Sequence, residues 1–185
     1  MSTTPATSAT KTTWKIDPAH SSAEFKVKHM MISNVKGKFT GLEGSLVLDA
    51  VDPTKSSVEA TIPVATLTTG DAQRDGHLKS PDFFDVEKFP VFTFKSIAVH
   101  SGAPAEHEVI GELTMHGVTK VVSFEVEGPS APAKDPWGNT RVGLSATANI
   151  NRKDFGLTWN SALETGGVLV GEEIALTLDV EFIQA

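Results

Sequence analysis

The sequence predicts an all-β protein, in which eight antiparallel strands close into a barrel with a single short helix. Three observations lead to this prediction. Apolar and polar residues alternate with a period of two along most of the chain, as in half-buried strands. Turns rich in glycine and proline separate the alternating segments. Eight strands with one apolar face each must form a sandwich or a barrel, and glycines inside the strands favour the tight bends of a barrel.

The chain begins with a segment of low apolar content. Residues 1–12 are mostly Ser, Thr, Ala and Pro. We predict that they form a disordered tail, because they bury too little apolar surface to offset the entropy of ordering. One domain follows, over residues 13–185. Its first two strands, at about 14–30 and 35–49, alternate less regularly. Three glycines in the second of them predict bulges or sharp bends: Gly37, Gly41 and Gly44.

Six later segments alternate strictly, whereas a helix would place its apolar residues three and four apart. Their apolar residues are Val58, Ala60, Ile62 and Val64; Phe92 and Phe94; Val109, Leu113 and Met115; Val122, Phe124 and Val126; Leu144, Ala146, Ala148 and Ile150; Ile174, Leu176, Leu178, Val180 and Phe182. The helical segment lies near 69–79, between the third and fourth strands. Asp71 can cap its N-terminus, and Ser80-Pro81 ends it.

Composition and charge exclude several classes of function. The 185 residues carry a formal net charge of −7, which argues against non-specific nucleic-acid binding and simple electrostatic attachment to anionic membranes. Cysteine is absent, so disulfides, thiol nucleophiles and thiolate metal sites are excluded. We find neither a transmembrane stretch nor the apolar core of a secretory signal. We therefore expect a cytoplasmic protein, or a periplasmic or secreted one if this chain is a processed form.

Four motifs occur in a characteristic order. They are IDPAHSSAEFKVKHMMISNVKGKF, TTGDAQRDGHLKSPDFFDVEKFPVFTFKS, GELTMHGVTKVV and INRKDFGL. In order and spacing they resemble the bacterial YceI family over roughly residues 14–183. The resemblance implies an extended, lipocalin-like barrel that holds a polyisoprenoid, such as a polyprenyl quinone or a prenyl phosphate, in an apolar tunnel for transport or storage. It also implies frequent dimerisation, so we expect a homodimer. Family members linked to other amphiphiles leave fatty acids and fatty amides open as ligands.

The apolar strand faces supply the candidate lumen residues. They are Phe25, Val27, Phe39, Ile62, Val64, Phe92, Phe94, Leu113, Met115, Phe124, Leu144, Ala146, Ile150, Leu176 and Leu178. The alternative interpretation is that these residues pack against one another as a dry core. Small residues in register with them, including Ala60 and Gly111, leave room and favour a cavity.

Polar residues near the strand ends supply candidate contacts for a ligand head group. Arg74 and His77, in the predicted helix, lie where a barrel end is expected, and Arg74 offers a planar donor fork. The alternative is a structural ion pair of Arg74 with Asp75 or Asp71. His29 continues the apolar face of its strand, and Arg152 in INRKDFGL has a similar status. For Arg74, His77, His29 and Arg152 alike, a purely structural role is the alternative to contact with a ligand.

Catalytic and metal sites find little support in the sequence. The four histidines of the motifs lack the short spacing of a local metal site, so we predict neither a metal nor a cofactor: His20, His29, His77 and His116. Nucleophile elbow, phosphate loop and HExxH motifs do not occur. We predict a binding protein. A lipid-modifying enzyme with His77 or His29 as acid or base stays as an alternative, as does a structural dimer with a filled core.

Overall fold

The computed structural model describes residues 10–185. Eleven strands lie within this range. In chain order they are β1 (Lys11–Ile16), β2 (Ser22–His29), β3 (Ser33–Phe39), β4 (Glu43–Asp49), β5 (Ser57–Pro63), β6 (Val91–Ser101), β7 (Glu106–Met115), β8 (Val118–Glu127), β9 (Ala133–Lys134), β10 (Thr140–Asn151) and β11 (Val170–Gln184). The helix α1 spans Ala72–Lys79. No helix in this part of the chain has the length and apolar character needed to cross a membrane.

Eight of the strands close the predicted antiparallel barrel. Their order around the barrel is β11, β1, β4, β5, β6, β7, β8 and β10, and β10 then pairs again with β11. The β10–β11 ladder runs from Arg141 opposite Ile183 to Asn151 opposite Glu173. Closure removes the exposed edges that an open sheet of this size would present. The prediction of an eight-stranded barrel is therefore confirmed.

Each of the two irregular segments is split into two strands. A 3₁₀ turn at Pro18–His20 separates β1 from β2, and both strands pair with β11. Gly41, with φ of +70°, turns the chain between β3 and β4. This left-handed conformation suits glycine because it has no Cβ. The predicted bend at Gly41 is thus confirmed, and it allows β3 to leave the barrel wall that β4 joins.

The β2–β3 hairpin extends the sheet from β11 outside the ring of eight. The far edge of β3 bridges to the segment before α1, where the Lys38 and Thr68 amides each donate to the other's carbonyl, at 2.9 and 3.0 Å. This bridge protects one end of an otherwise unpaired edge strand. It also brings α1 over the adjoining end of the barrel.

The predicted tail and domain boundary differ slightly from the structure. Residues 1–9 lie outside the described residues. Lys11 and Thr12, assigned to the tail, are instead the first two residues of β1, where they pair with Asp49 and Leu48 of β4. The alternation in β1 is too short to show in the sequence, because strand pairing rather than composition orders these residues.

The short helix forms as the sequence indicates. The Asp71 carboxylate accepts from the Arg74 amide at 2.9 Å, and the helix ends before Ser80-Pro81. The Arg74 side chain does not make the ion pair considered above. It donates to the side-chain and main-chain oxygens of Thr69, at 2.8 and 3.1 Å. Asp75 also binds Thr69, accepting from its hydroxyl at 2.6 Å. Both side chains therefore fasten the segment that leads into α1.

A cluster of charges joins the strands around β11 on the outside of the barrel. Arg141 Nη1 lies 2.6 Å from Asp17 Oδ2 and 2.7 Å from Glu181 Oε1, and Arg141 Nε lies 2.6 Å from Asp135 Oδ2. The hydrogen bond from Arg141, with a second from His20, holds the pKa of Asp17 at about 2. Burial raises the pKa of Asp135, but hydrogen bonds from Arg141 and Asn139 outweigh burial and hold it below its usual range.

This cluster gives stability a defined acid dependence. The pKa of Asp17 when folded, about 2, lies below the ~3.9 of an unfolded chain. The stabilisation of the folded state by ionised Asp17 is therefore complete above about pH 4 and is lost as the pH falls towards about 2. In Arg141→Met the pKa of Asp17 should return towards its usual value. We expect the difference in melting temperature between wild type and Arg141→Met, followed by circular dichroism, to be largest above about pH 4 and to shrink below it. If the difference in melting temperature were the same at all pH values across this window, the stabilising role of the Asp17–Arg141 pair would be contradicted.

Candidate functional site

The barrel encloses an apolar cavity of about 240 Å³. It extends along the barrel axis, and the atoms that face it are almost all apolar. The end where β7 finishes and β8 begins includes Arg152 in its wall, and we call it the Arg152 end. The opposite end, where β7 begins, includes His107, and we call it the His107 end. From His107 to Met115 the strand rises ~26 Å, which becomes ~20 Å along the axis of a tilted barrel.

Fifteen of the nineteen predicted site residues lie in the cavity wall. They are Phe25, Val27, Phe39, Ile62, Phe92, Phe94, Leu113, Met115, Phe124, Leu144, Ala146, Ile150, Arg152, Leu176 and Leu178. Their alternate spacing places them on the inner face of each strand. The alternation in the sequence therefore identified the wall, and the structure shows a lumen rather than a completely filled core.

The other four predicted residues lie away from the wall. Val64 is fully buried in a 3₁₀ turn after β5. His29 ends β2 beside the hairpin turn. Arg74 is exposed on α1 and bound to Thr69. His77, also on α1, has its Nε2 at 2.9 Å from Asp82 Oδ2. A lumen role for Val64 and a contact of His29, Arg74 or His77 with a ligand stay predictions that the geometry of the cavity does not support.

Glycines beneath aromatic rings shape the lumen. Gly37 lies opposite Phe25 in the β2–β3 ladder, and a Cβ added to Gly37 would be 2.3 Å from the Phe25 ring. Gly111 of β7 similarly lies against the Phe94 ring, 2.4 Å from an added Cβ. Rings that rest on a glycine lie close to the wall, which leaves the axis of the barrel free. The predicted role of Gly111 in leaving room is consistent with this packing.

An aromatic cluster lies on the cavity beneath α1. Phe84, which follows the helix, packs edge-on against Phe39 and Phe92 with ring centroids 6.0 and 5.3 Å apart. Leu78 of α1 and Phe83 complete this part of the wall. His77 stands on the outer side, edge-on to Trp159 at 4.7 Å and to Phe83 at 5.1 Å. His77 thus fastens α1 to the loop before β11, and α1 covers the Arg152 end as a lid.

Arg152 is a buried cation in the apolar wall. Its side chain follows β10 in a 3₁₀ turn and the residue is 3% exposed. Four main-chain carbonyls surround its guanidinium: those of Gly171 and Leu157 at 2.7 Å, Trp159 at 2.9 Å and Val170 at 3.3 Å. Among the ion pairs formed by residues 10–185, none includes Arg152.

The charge of Arg152 is therefore balanced by carbonyl dipoles and not by a carboxylate. Burial lowers its pKa, and the nearby Glu172 acts in the opposite direction. A guanidinium nevertheless stays protonated in proteins. Four of its five N–H groups have acceptors in the described part of the chain, which leaves one N–H on Nη2. The Arg152 end thus places a positive charge in the otherwise apolar wall, with one Nη2 N–H that has no acceptor among the described residues.

His107 marks the other end of the cavity. Its Nδ1 is buried and has no hydrogen-bond partner among the described residues. A buried polar atom without a partner costs roughly 1–3 kcal/mol, so this position favours a ligand that can hydrogen-bond. His107 was not predicted from the sequence, although it alternates in register with Val109. Its position at the start of β7, just after the loop at 102–105, was the available signal.

Several apolar wall residues were also missed. They are Ile16, Leu42, Leu46, Leu48, Val58, Leu78, Phe83, Phe84, Val99, Val109, Val126, Leu157, Val170, Ile174, Val180 and Phe182. Many of them continue faces that the alternation had already identified. Leu42, Leu78, Phe83, Phe84 and Leu157 lie outside the strands, and only their packing onto the barrel brings them to the lumen.

One cluster outside the cavity has the composition of a metal site. The ligand atoms of Asp17, His20 and Glu181 lie within 4.8 Å of one another. Arg141 Nη1 lies within 2.7 Å of both carboxylates and so already supplies their positive charge. The cluster is explained by the ion pairs around Arg141. The prediction that the protein binds no metal or cofactor stays a prediction.

Comparison with known proteins extends these findings. The family model described as the YceI-like domain matches residues 14–182. UPF0312 protein SA2479 of Staphylococcus aureus is 38% identical over 172 residues, which is 92% of this chain and 97% of the relative. The crystal structure of the Campylobacter jejuni YceI protein aligns with a TM-score of 0.71 and 30% identity, covering 86% of this chain and 91% of that one.

A more distant solved structure has the same fold. It is a polyisoprenoid binding domain from Saccharophagus degradans, with a TM-score of 0.65 and 15% identity. The alignment covers 93% of this chain and 98% of that domain. At this identity the likeness establishes a common fold.

Proposed function

The chain belongs to the family of YceI-like domains, and from this premise we propose that it binds one long apolar or amphiphilic molecule, a polyisoprenoid, inside its barrel. Its role would be to transport or store a lipid such as a polyprenyl quinone or prenyl phosphate. The observation that carries the proposal is the apolar cavity of about 240 Å³ between Arg152 and His107. A cavity lined by apolar side chains stays dry and is filled favourably by an apolar ligand.

The polyisoprenoid class is supported by the shared fold. The domain from Saccharophagus degradans is described as polyisoprenoid binding. The same barrel in this chain encloses a narrow lumen, and a flexible unbranched or methyl-branched chain can follow such a lumen where a broad, rigid molecule cannot. Family membership and the apolar wall both favour a binding protein over an enzyme.

The size of the cavity relates to the length of the buried chain. At ~30 Å³ for each water-sized group, the cavity holds roughly eight such groups. Burial of about eight CH₂-sized groups contributes about 6 kcal/mol before the cost of association is subtracted. A longer polyprenyl chain must extend beyond one end of the barrel or displace the rings of Phe39, Phe84 and Phe92.

Two polar positions on the wall offer places for the head group. A phosphate or carboxylate is complementary to the positive charge and free N–H of Arg152. A quinone carbonyl or a hydroxyl is complementary to the unpartnered Nδ1 of His107. We propose that an anionic head lies at the Arg152 end, because a charge buried in an apolar wall gains most from an opposite charge.

Native mass spectrometry of protein purified without detergent tests the proposal directly. We expect a bound species that is released by organic solvent and has the mass of a polyprenyl lipid. Protein stripped of this lipid should bind a prenyl phosphate again with 1:1 stoichiometry. Ligand-free protein that binds neither a prenyl phosphate nor a polyprenyl quinone would refute the polyisoprenoid proposal.

A competition series separates the alternatives. Prenyl phosphate, polyprenyl quinone, fatty acid and fatty amide of matched chain length should be compared against one fluorescent apolar probe. Preference for the isoprenoid chain with either head supports the proposal, whereas preference for a fatty acid or fatty amide assigns the other amphiphile class. Turnover of a lipid, lost in His77→Ala or His29→Ala with the fold intact, would instead establish the enzyme.

We also propose that the protein forms a homodimer and that it is located in the cytoplasm. Sedimentation velocity of the full chain with and without ligand measures the first, and fractionation of the producing cells measures the second.

A further inference from the structure

The tip of the β2–β3 hairpin carries an unusual cluster of exposed apolar side chains. Met30, Met31 and Ile32 are 41%, 67% and 80% exposed, and Val168 beside them is 37% exposed. The Met30 amide donates to the Leu169 carbonyl at 2.7 Å, which joins the hairpin tip to the loop before β11. Four of the nine exposed large apolar residues of the described chain thus lie together, and we call these four the apolar tip.

The turn at the apolar tip is poorly suited to its residues. Met30 and Met31 have φ of +52° and +59°, and the Ile32 amide donates to the His29 carbonyl at 3.1 Å. Positions at positive φ in a tight hairpin connection favour Gly, Asn or Asp, because a large side chain with a Cβ is disfavoured there. The chain therefore places large apolar side chains where turn formation alone would select small polar ones.

Lysines lie just behind the apolar tip on the outer face of the same hairpin. Lys26, Lys28 and Lys36 are exposed, and Lys26 is directly opposite Lys36 in the β2–β3 ladder. We call these three the basic collar. The next lysine, Lys38, lies opposite Glu24. Within residues 10–185, no ion pair includes any of the four lysines.

We propose that the apolar tip and the basic collar form a docking surface for an anionic lipid bilayer. The tip side chains would enter the boundary between head groups and acyl chains, as exposed apolar residues of interfacial proteins do. The collar ammonium groups would lie at the level of the anionic head groups, where each contributes to binding. Two like charges directly across a strand pair destabilise the hairpin unless an anionic partner compensates them.

The net charge of −7 does not oppose this surface. Exposed charges separated by more than about 8 Å are largely screened at physiological salt. The potential at the hairpin is therefore set by the collar and by the acidic residues beside it, which are Glu24 on β2 and Glu172 and Glu173 on β11; Glu172 is paired with Lys153. The expectation from net charge alone, that anionic membranes are avoided, holds for the barrel as a whole and not for this end.

A second copy of the chain is a poorer occupant of the surface. In a two-fold contact the same patch meets itself, so two basic collars would approach each other. The position of the tip also fits a bilayer. The hairpin lies at the Arg152 end, where Val27 and Val170, neighbours of the turn, reach the cavity wall. A docked barrel would thus present this end to the lipid.

Vesicle co-sedimentation tests the docking surface. The full chain is mixed with vesicles of 30% phosphatidylglycerol in phosphatidylcholine, and with pure phosphatidylcholine vesicles, at about 150 mM salt, where exposed charges are screened as described above. We expect binding to the anionic vesicles and little to the neutral ones. Replacement of Lys26, Lys28 and Lys36 with Gln should weaken binding about a hundredfold, at about fivefold for each lysine. Met31→Ser with Ile32→Ser should weaken binding at least tenfold.

Matched variants give the controls. Lys11, Lys15 and Lys134, exposed elsewhere, are replaced with Gln for the same change in net charge. Val51→Ser with Val121→Ser removes equally exposed apolar residues away from the tip. The proposal would be overturned if the wild-type protein did not bind anionic vesicles. It would also be overturned if the control variants lost as much binding as the tip and collar variants. A dimer, seen by sedimentation velocity, that the tip variant dissociates would overturn it as well.

The docking proposal does not rest on the lumen ligand. The lipid extracted from wild type and from the tip and collar variants, measured by native mass spectrometry, should be the same. Vesicle binding without a lumen lipid would leave the docking surface and reject the polyisoprenoid proposal. A lumen lipid without vesicle binding would reject the docking surface and leave the polyisoprenoid proposal.

Discussion

Replacement of Arg152 with methionine is expected to lower the free energy of unfolding by about 3–5 kcal/mol. The guanidinium of this residue, 3% exposed, donates to the carbonyls of Leu157, Trp159, Val170 and Gly171. Methionine fills similar volume but donates no hydrogen bond, so the four carbonyls lose their donor together. Urea denaturation measures the change, and the melting temperature should fall by roughly 10 °C.

Two further variants show whether the donor fork is the cause. Arg152→Lys keeps the charge but cannot reach four carbonyls at once, so it should lose most of the same stability. Lys153→Met alters the exposed neighbour, which pairs with Glu172 at 2.6 Å, and should change stability little. If Arg152→Met unfolds no more readily than Lys153→Met, the four hydrogen bonds from Arg152 to the carbonyls of residues 157–171 do not stabilise the fold as expected.

Replacement of Ala146 with phenylalanine is expected to weaken ligand binding by about 50-fold or more. Ala146 is buried on β10, and its side chain faces the cavity. A phenyl ring there would take the space of at least three CH₂-sized groups of ligand, at ~0.8 kcal/mol each. The ring enters a cavity and not a filled core, so the stability of the empty protein should be preserved. Titration with a fluorescent prenyl probe measures the affinity.

Thr147→Phe provides the matched control for this prediction. Thr147 is the next residue of the same strand and is exposed on the outside of the barrel, so the added ring cannot reach the lumen. Its affinity should equal that of wild type. Unchanged affinity in Ala146→Phe, with its fold intact by circular dichroism, would place the ligand outside the barrel.

The comparison of sequence with structure separates apolar from polar site residues. Phe92 and Phe94, or Leu176 and Leu178, line the cavity as the alternation predicts, because successive side chains of a strand point to opposite faces wherever the strand lies. Their contact with a ligand stays a prediction. Among polar residues, Arg152 was identified, but Arg74 and His77 were chosen for the mouth of the cavity and His107 was missed. A polar side chain at a strand end has no periodic pattern that tells where it points.

The sequence by itself determined the all-β barrel class, the six regularly alternating strands, the capped helix and much of the cavity wall, since all of these follow from local alternation and turn chemistry. The tertiary structure alone decided which charges meet. Packing of the 157–171 segment surrounds Arg152 with carbonyls, and strand register sets Lys26 opposite Lys36. Contacts between residues distant in the chain depend on register and loop packing, which leave no periodic trace in the sequence. The barrel, its apolar wall and Arg152 could therefore be predicted, whereas His107 and the basic collar could not.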